Sequence, residues 1–309
     1  MRTISRIWRR FVSVLDILRE IILWFRHMWI AWSWDFARLT RATITVKTLQ
    51  GLFTVSTQDS TIGRHLYFDG HYQHDSVVNA VAFLREKGLI PAAGQGTVLD
   101  IGANVGVISI GMLTNGMVAS AVAVEPDPTN FGLLQRNVAN NNLGTRYTAI
   151  QAAASERAGN LKFALSNENF GDHRIQVQSE PADDKTGRRV IEVAAKPIDE
   201  MIDSLPANVA SEITLIWIDV QGHEGYVFAG GSKLFSRAIP VVVEVWPFGI
   251  KRSGMTVEHF CELAQKYWRS FWVFRRCGKY VHYPIRDLSK FCEELGDQGV
   301  YEDIILTTT

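Results

Sequence analysis

The sequence is poor in cysteine. Cys261, Cys277 and Cys292 are its only three, and no C-x-x-C pair occurs among 309 residues. An odd, scattered set argues against a disulfide framework and against a cysteine zinc site. It suits a reducing compartment, so a cytoplasmic protein is expected. Net charge is also lacking: 32 Lys and Arg balance 32 Asp and Glu. Nothing therefore pulls the whole chain toward nucleic acid, and none is expected as a partner. No uninterrupted apolar run reaches the roughly 18 residues of a transmembrane span, because Asp16, Arg19, Glu20 and Arg26 break up the apolar N-terminal region. Asp16 also splits any signal-peptide core, and no small-residue cleavage site follows it. Repeats of 20 to 50 residues and low-complexity segments are absent. The length accommodates one large α/β domain and an extension.

What the chain does have is concentrated at Thr97–Asp127. Thr97–Ile101 is a short apolar run carrying Asp100. Gly102, Ala103, Asn104, Val105 and Gly106 form a turn that opens a helix. Val118–Val124 is a second apolar run, closed by Glu125 and Pro126. An acid some 20 residues beyond a glycine loop, at the tip of the next strand, is placed to hold ribose hydroxyls. Small loop residues would let a cofactor press on the backbone. A dinucleotide site wants G-x-G-x-x-G, but Asn104 and Val107 occupy its second and third glycine positions. Asp100 would repel a pyrophosphate and attract a cationic amino group, such as the methionine end of S-adenosylmethionine. An ordinary βαβ turn without a ligand is the third reading.

VLDIGANVG, VAVEPDPTNFGLLQRNVANNNL, WIDVQGHEGYVFAGGSKLF and IPVVVEVWP together resemble the FkbM family of S-adenosylmethionine-dependent methyltransferases, over roughly Ile44 to Thr309. The resemblance implies a Rossmann-like doubly wound sheet of the class I methyltransferase type. It also implies S-adenosylmethionine as cofactor and O-methylation of sugars, glycans or polyketide-type natural products. It makes Tyr67 and Tyr72 lid residues and gives Asn167–Arg174 a role over the site. The family pattern after the fourth buried strand resembles D-V-E-G-H-E. Here Gln221 stands where the middle acid would be, so no base or metal role is expected of that side chain.

Periodicity gives a coarse map. Residues 1–42 are set apart as an N-terminal Trp- and Arg-rich amphipathic helix, and residues 43–309 as the methyltransferase-like domain. Five of nine tryptophans fall in the first segment: Trp8, Trp24, Trp29, Trp32 and Trp34. Polar residues recur there at helical spacing, from Arg6 and Arg9 through Glu20 to Asp35 and Arg38. Two readings stand. In one the helix lies in a membrane interface, its arginines on anionic headgroups, which would put the protein at the inner face of a membrane. In the other it packs on the domain or on a second subunit. Ile44–Val46 and Leu52–Val55 read as a hairpin, Asp59–His74 as a loop and Ser76–Lys87 as a helix. Strands are expected at Tyr147–Ala152, Leu161–Leu165, Arg189–Ala195, Ile213–Val220 and Ile239–Val245. His223–Phe235 reads as one helix, and Phe271–Arg275 with Tyr301–Thr308 as an antiparallel closing pair. The alternation of strand and helix implies a doubly wound, mostly parallel α/β sheet.

Ligands in such sheets bind beyond the carboxyl ends of the strands. Asp100, Glu125, Asp219 and Glu244 all fall near that edge. The candidate cofactor residues are Asp100, Gly102, Asn104, Gly106, Glu125, Pro126 and Ala153, with Ala153 where an adenine would rest. The candidate catalytic residues are Asp219, His223 and Glu244, able to take a proton from a hydroxyl acceptor. His65, His71 and His74 are irregularly spaced, and no metal is expected. A nicotinamide-dependent oxidoreductase and a non-catalytic docking protein are the alternatives to a methyltransferase acting on a small-molecule or glycan acceptor.

Overall fold

The computed structural model describes residues 19–22, 24–25, 28–177, 187–275 and 278–309. Residues 28–40 form helix α1. Strands β1 (Thr43–Thr48) and β2 (Gly51–Ser56) make the expected hairpin. Helices α2 (Ile62–Phe68) and α3 (His74–Glu86) come next. The central run is β3 (Thr97–Ile101), α4 (Val107–Thr114), β4 (Ser120–Val124), α5 (Pro128–Asn140) and β5 (Tyr147–Ile150). Four short or alternating strands follow: β6 (Ala153–Ala154), β7 (Gly159–Leu165), β8 (Arg174–Ile175) and β9 (Arg189–Lys196). The chain continues through α6 (Ile198–Asp203), α7 (Ala207–Ser211), β10 (Ile213–Ile218), α8 (Glu224–Ala229), α9 (Ser232–Phe235) and β11 (Val241–Val245). It ends with α10 (Pro247–Arg252), α11 (Val257–Tyr267), β12 (Ser270–Arg275), β13 (Lys279–Pro284), α12 (Leu288–Leu295) and β14 (Glu302–Thr307).

Eight strands form the main sheet in the order β13-β12-β14-β11-β10-β3-β4-β5. From β5 to β11 every neighbour is parallel. β14 pairs antiparallel with both β11 and β12, so β12 runs with the parallel set, and only β14 and the edge strand β13 oppose it. The expected doubly wound sheet is present, and β12 and β14 form the expected antiparallel pair. The order reverses between β3 and β10, which opens a crevice at their carboxyl ends. β3 and β11 are buried at every position, as suits central parallel strands covered on both faces. Successive residues alternate between two cores. Leu99, Ile101, Ile216, Ile218, Val241 and Val243 face one, packed by α6, α8, α9, α11 and α12. Val98, Leu215, Trp217, Val242 and Ile305 face the other, under α3, α4, α5 and the hairpin.

Three expectations need correction. β7 and β9 do not extend the main sheet. With β6 and β8 they build a separate sheet in the order β6-β9-β7-β8. Both carry exposed residues along much of their length, and β9 alternates buried with exposed, which strands covered on both faces in the main sheet would not. The Asp59–His74 loop contains α2, whose start is organised by the Asp59 carboxylate accepting from the Thr61 and Gly63 amides at 3.1 and 2.8 Å. The single helix from His223 breaks at Gly230 and Gly231. A side chain on Gly230 would run into the Ser155 carbonyl oxygen.

Sequence caps fix other boundaries. Asp127 accepts from Thr129 and Asn130 amides at 2.6 and 2.7 Å, and Pro128 starts α5. One buried residue then welds α5 to the hairpin. Asn137 accepts from the Thr54 amide at 2.6 Å and donates to the Thr54 and Val105 carbonyls at 3.2 and 2.9 Å. Asn137→Ala would leave those groups buried and unpaired, and is expected to cost about 2–4 kcal/mol in urea unfolding. Asn141 holds Leu52 in the same way but on the surface. Asn141→Ala should cost less than about 1 kcal/mol in the same assay.

Candidate active site

A cleft opens at the strand reversal and has two contiguous parts. The first, about 510 Å³, is lined by Gly102, Asn104, Glu125, Pro126, Ala153, Phe163, Phe170, Ile175 and His223. The second, about 890 Å³, is lined by Tyr72, Gln73, Glu244, Trp246 and Tyr301. Gly102, Asn104, Gly171, Asp219 and Gln221 border both parts.

The floor is the β3–α4 turn. The Gly102 and Ala103 amides both donate to the Val124 carbonyl, at 2.9 and 3.0 Å, and the Asp219 amide donates to Ile101 at 3.0 Å. Gly102 has φ +89°, and a side chain there would run into the Asp219 carbonyl oxygen. The expectation was that a glycine here makes room for a ligand. Its first duty is instead to let the β10 exit pass. Asn104, also at positive φ, donates its amide to Glu125 Oε2 at 2.8 Å and its side chain to the Phe170 carbonyl at 2.8 Å. Glu125 Oε1 accepts from the Asp127 amide at 2.8 Å. Each oxygen of this buried carboxylate thus has one backbone donor and capacity for another. Burial pushes the Glu125 carboxyl up to about 8.

Two predicted cofactor residues lie elsewhere. Asp100 was expected to meet a cationic amino group, but it does not line the cleft. Its carboxylate is buried beneath α4, accepting from the Ser109 amide at 3.2 Å and hydroxyl at 2.5 Å, and burial raises it to about 6. Ser109 also meets the Tyr147 hydroxyl at 2.8 Å. Strand register explains the placement. Asp100 pairs with Trp217, and Trp217 with Val242, inside the core layer; the acids of the cleft stand two residues further along their strands. Gly106 is likewise outside. A side chain there would strike Leu134 and Ile110, so this glycine serves the packing of α5 on α4.

The three catalytic candidates are separated. His223 borders only the first part. Its ring stacks on Tyr226 at 4.3 Å, and Nε2 lies 3.0 Å from Ser155 Oγ. Burial drives its pKa down to about 3, so the imidazole is neutral. Glu244 borders only the second part, and Asp219 borders both. Glu244 lies opposite Asp303 in the β11–β14 ladder. Burial, followed by the charge of Asp219, pushes Glu244 well above the usual carboxylate range. Asp303 is raised to about 7, first by burial and then by Asp219. Glu244 Oε2 is buried without a hydrogen-bond partner. Asp219 is occupied on one oxygen by Gln221 Nε2 at 2.7 Å. Glu224 is fully buried and accepts from the Val220 and Gly222 amides at 3.1 Å, so it braces the turn after β10. Among the described residues, no group of three or more His, Cys, Asp or Glu is arranged to hold a metal ion.

The roof is a loop. The Phe170 and His173 rings meet at 5.2 Å, tilted by 36°, and the Phe170 amide donates to Asp59 at 3.2 Å. Asp59 therefore ties α2 to the loop over the cleft, a role with no signal in the sequence beyond an acid three residues before a helix. Tyr72 is in the cleft wall, whereas Tyr67 faces away and packs on Trp34 at 5.1 Å.

The floor makes a direct prediction. Gly102→Ala combines a disfavoured φ with a backbone collision, and should lower unfolding free energy by more than about 2 kcal/mol. Equilibrium denaturation measures this. Unchanged stability would mean that β3 and β10 can separate without cost.

Comparison with known proteins places this geometry. The methyltransferase FkbM domain profile matches residues 100–279. Methyltransferase sdnD of Sordaria araneosa is 28% identical over 176 residues, covering 50% of this chain and 68% of that protein. The crystal structure of methyltransferase FkbM from Methylobacillus flagellatus KT superposes with a TM-score of 0.34 at 19% identity, over 60% of this chain and 44% of that one. TYW2 of P. horikoshii, solved in complex with MeSAdo, gives a TM-score of 0.35 at 13% identity, over 73% and 62% of the two chains. The chain thus spans less than half of the solved FkbM structure. The profile match covers more than half of this sequence and runs from the β3 acid past the cleft-bearing turns: the chain belongs to the FkbM methyltransferase family.

Proposed function

We propose that this chain transfers a methyl group from S-adenosylmethionine to a hydroxyl of a small-molecule or glycan acceptor. The observation that carries the reading is the adjacency of two unlike half-sites. One has a buried carboxylate with spare acceptor capacity beside a small apolar wall. The other holds Glu244, whose inner oxygen is unpartnered, among aromatic residues.

The residues of the first part fit the cofactor. Glu125 can accept from ribose hydroxyls on the lone pairs its backbone donors leave free. Ala153, Phe163 and Ile175 form a wall suited to a flat base. When bound, S-adenosylmethionine supplies an electrophilic methyl group on a sulfonium centre. Asp219 and the Gly102 turn border the junction where acceptor and methyl group would meet. Alignment of this kind lowers barriers by roughly 7–11 kcal/mol in favourable cases. Glu244 would take the proton that the acceptor hydroxyl gives up when the methyl group passes to it from sulfur. A raised pKa makes it a stronger base once ionised. His223, buried and neutral at the other end, is a wall of the cofactor half. Tyr72, Trp246 and Tyr301 give the acceptor half aromatic faces of the sort that sugars and polyketide rings pack against.

Thermal unfolding tests the cofactor. S-adenosylhomocysteine should raise the melting temperature, because a ligand bound only to the folded state stabilises it. NAD should not, and Glu125→Ala should remove most of the shift. Stabilisation by NAD alone would return the reading to a nicotinamide-dependent oxidoreductase.

Glu244 can be tested without an acceptor. Its folded-state pKa lies above the unfolded value, so its contribution to stability is fully present below the unfolded pKa and is lost as pH rises through the folded one. Glu244→Gln removes that loss. Its melting temperature should match wild type near about pH 4 and exceed it by a few degrees near about pH 9. With an acceptor in hand, the same variant should lower kcat by about 10²–10⁴-fold.

A further inference from the structure

Helix α1 has two apolar faces, and only one of them is used. Trp34 and Ala37 are buried. The Trp34 ring meets Tyr67 at 5.1 Å and Phe68 at 6.2 Å, and Ser33 Oγ meets the Tyr67 hydroxyl at 2.8 Å. This seam fastens the helix to α2. The opposite face is bare: Trp29, Trp32 and Leu39 are 68%, 69% and 86% exposed, and Met28 and Phe36 are exposed with them; Trp24 and Phe25, in the helical residues that precede α1, are exposed as well. At 3.6 residues per turn, the exposed apolar positions of α1 cover an arc of about 100°, centred nearly opposite the Trp34 seam.

We infer that this face docks on the surface of an anionic lipid bilayer. Three features choose a bilayer over a second copy of the chain. The arc is broader than the two-position seam that helix-to-helix pairing uses. A fluid interface can wrap such a face. Trp29 and Trp32 stand on it, and indole rings favour headgroup depth. Only Asp35 breaks the arc with an acid. The preceding sequence brings Arg2, Arg6, Arg9 and Arg10, which complement anionic headgroups. No helix among the described residues is long and apolar enough to cross a membrane. The position of the seam adds a consequence. Tyr67 and Phe68, at one end of α2, hold the helix, and Ile62, at the other end, lines the acceptor part of the cleft. The two ends are only about 10 Å apart. The docked helix therefore brings the acceptor cavity close to the bilayer. The docking itself does not depend on the methyl-transfer reading.

Vesicle sedimentation of the full chain tests it. Protein should pellet with vesicles of phosphatidylcholine and phosphatidylglycerol, and pelleting should weaken as salt rises, since screening reaches about 10 Å at 0.1 M. Vesicles of phosphatidylcholine alone should bind at least tenfold less. The triple variant Trp24→Ser, Trp29→Ser, Trp32→Ser should bind mixed vesicles at least tenfold less, yet keep its melting temperature and its response to S-adenosylhomocysteine. Leu49→Ser, which removes an exposed apolar residue from the hairpin turn, should bind like wild type. The inference is overturned if the triple variant pellets like wild type. It is also overturned if both vesicle types bind alike, or if the full chain ignores vesicles and sediments as a dimer that the triple variant dissolves. Failure of S-adenosylhomocysteine to stabilise any form would count against the cofactor reading alone.

Discussion

The cleft depends on how closely two parallel strands leave the sheet. β3 and β10 pair up to Ile101 and Ile218, and the chain then turns away on both sides. The Asp219 carbonyl occupies the space where residue 102 would carry a side chain. Only glycine satisfies both the positive φ and the missing volume. Once that approach is made, the Gly102 and Ala103 amides reach Val124, and Asn104 is carried over to Glu125. The floor, Glu125 and Asp219 are thus positioned by one contact between two strand exits. A wider gap would separate Asp219 from the glycine turn and split the cleft.

Register then decides which acids count. In sequence, Asp100, Glu125, Asp219 and Glu244 look alike: each ends or nearly ends an apolar run. In the sheet, Asp100 sits level with Trp217 and Val242, inside the α4 core, and the other three stand beyond that layer. A two-residue offset turns a presumed ligand contact into a buried bond with Ser109. Nothing local to LDIGANVG reveals the offset, because it is set by pairing with β10, more than a hundred residues away. The same pairing hides Asp303, which the antiparallel return of β14 brings beside Glu244.

The parts legible in the sequence are those with strong local chemistry. Continuous apolar runs marked the buried strands, the Asp127-Pro128 cap marked α5, and the quoted motifs marked the family. The parts that were not legible depend on distant partners. The small sheet is made of short or partly exposed strands that reach the cleft through Phe163 and Ile175. The helix after Asp59 looked like a loop because glycine and histidine obscured a seven-residue turn of structure. Its cap is a carboxylate that also holds Phe170, more than a hundred residues on. Of the N-terminal segment, residues 1–18 lie outside the described part, and the spacing of tryptophans could not say which indole would be buried. Trp34 is, because Tyr67 and Phe68 await it.

Asp59 joins these observations into one mechanical path. Its carboxylate accepts from Thr61, Gly63 and Phe170 amides, so the start of α2 and the cleft roof share a single buried anchor. The Phe170 carbonyl in turn receives Asn104, whose amide holds Glu125. Burial raises the Asp59 carboxyl while its backbone donors lower it. A displacement of α2 cannot be absorbed at Asp59 without disturbing either the roof or the floor. The helix fastened to α2 through Trp34 is therefore linked to the roof of the cleft through α2 and Asp59. Whatever covers its bare face acts on an element that already borders the cleft, which gives a surface contact a physical route to the chemistry.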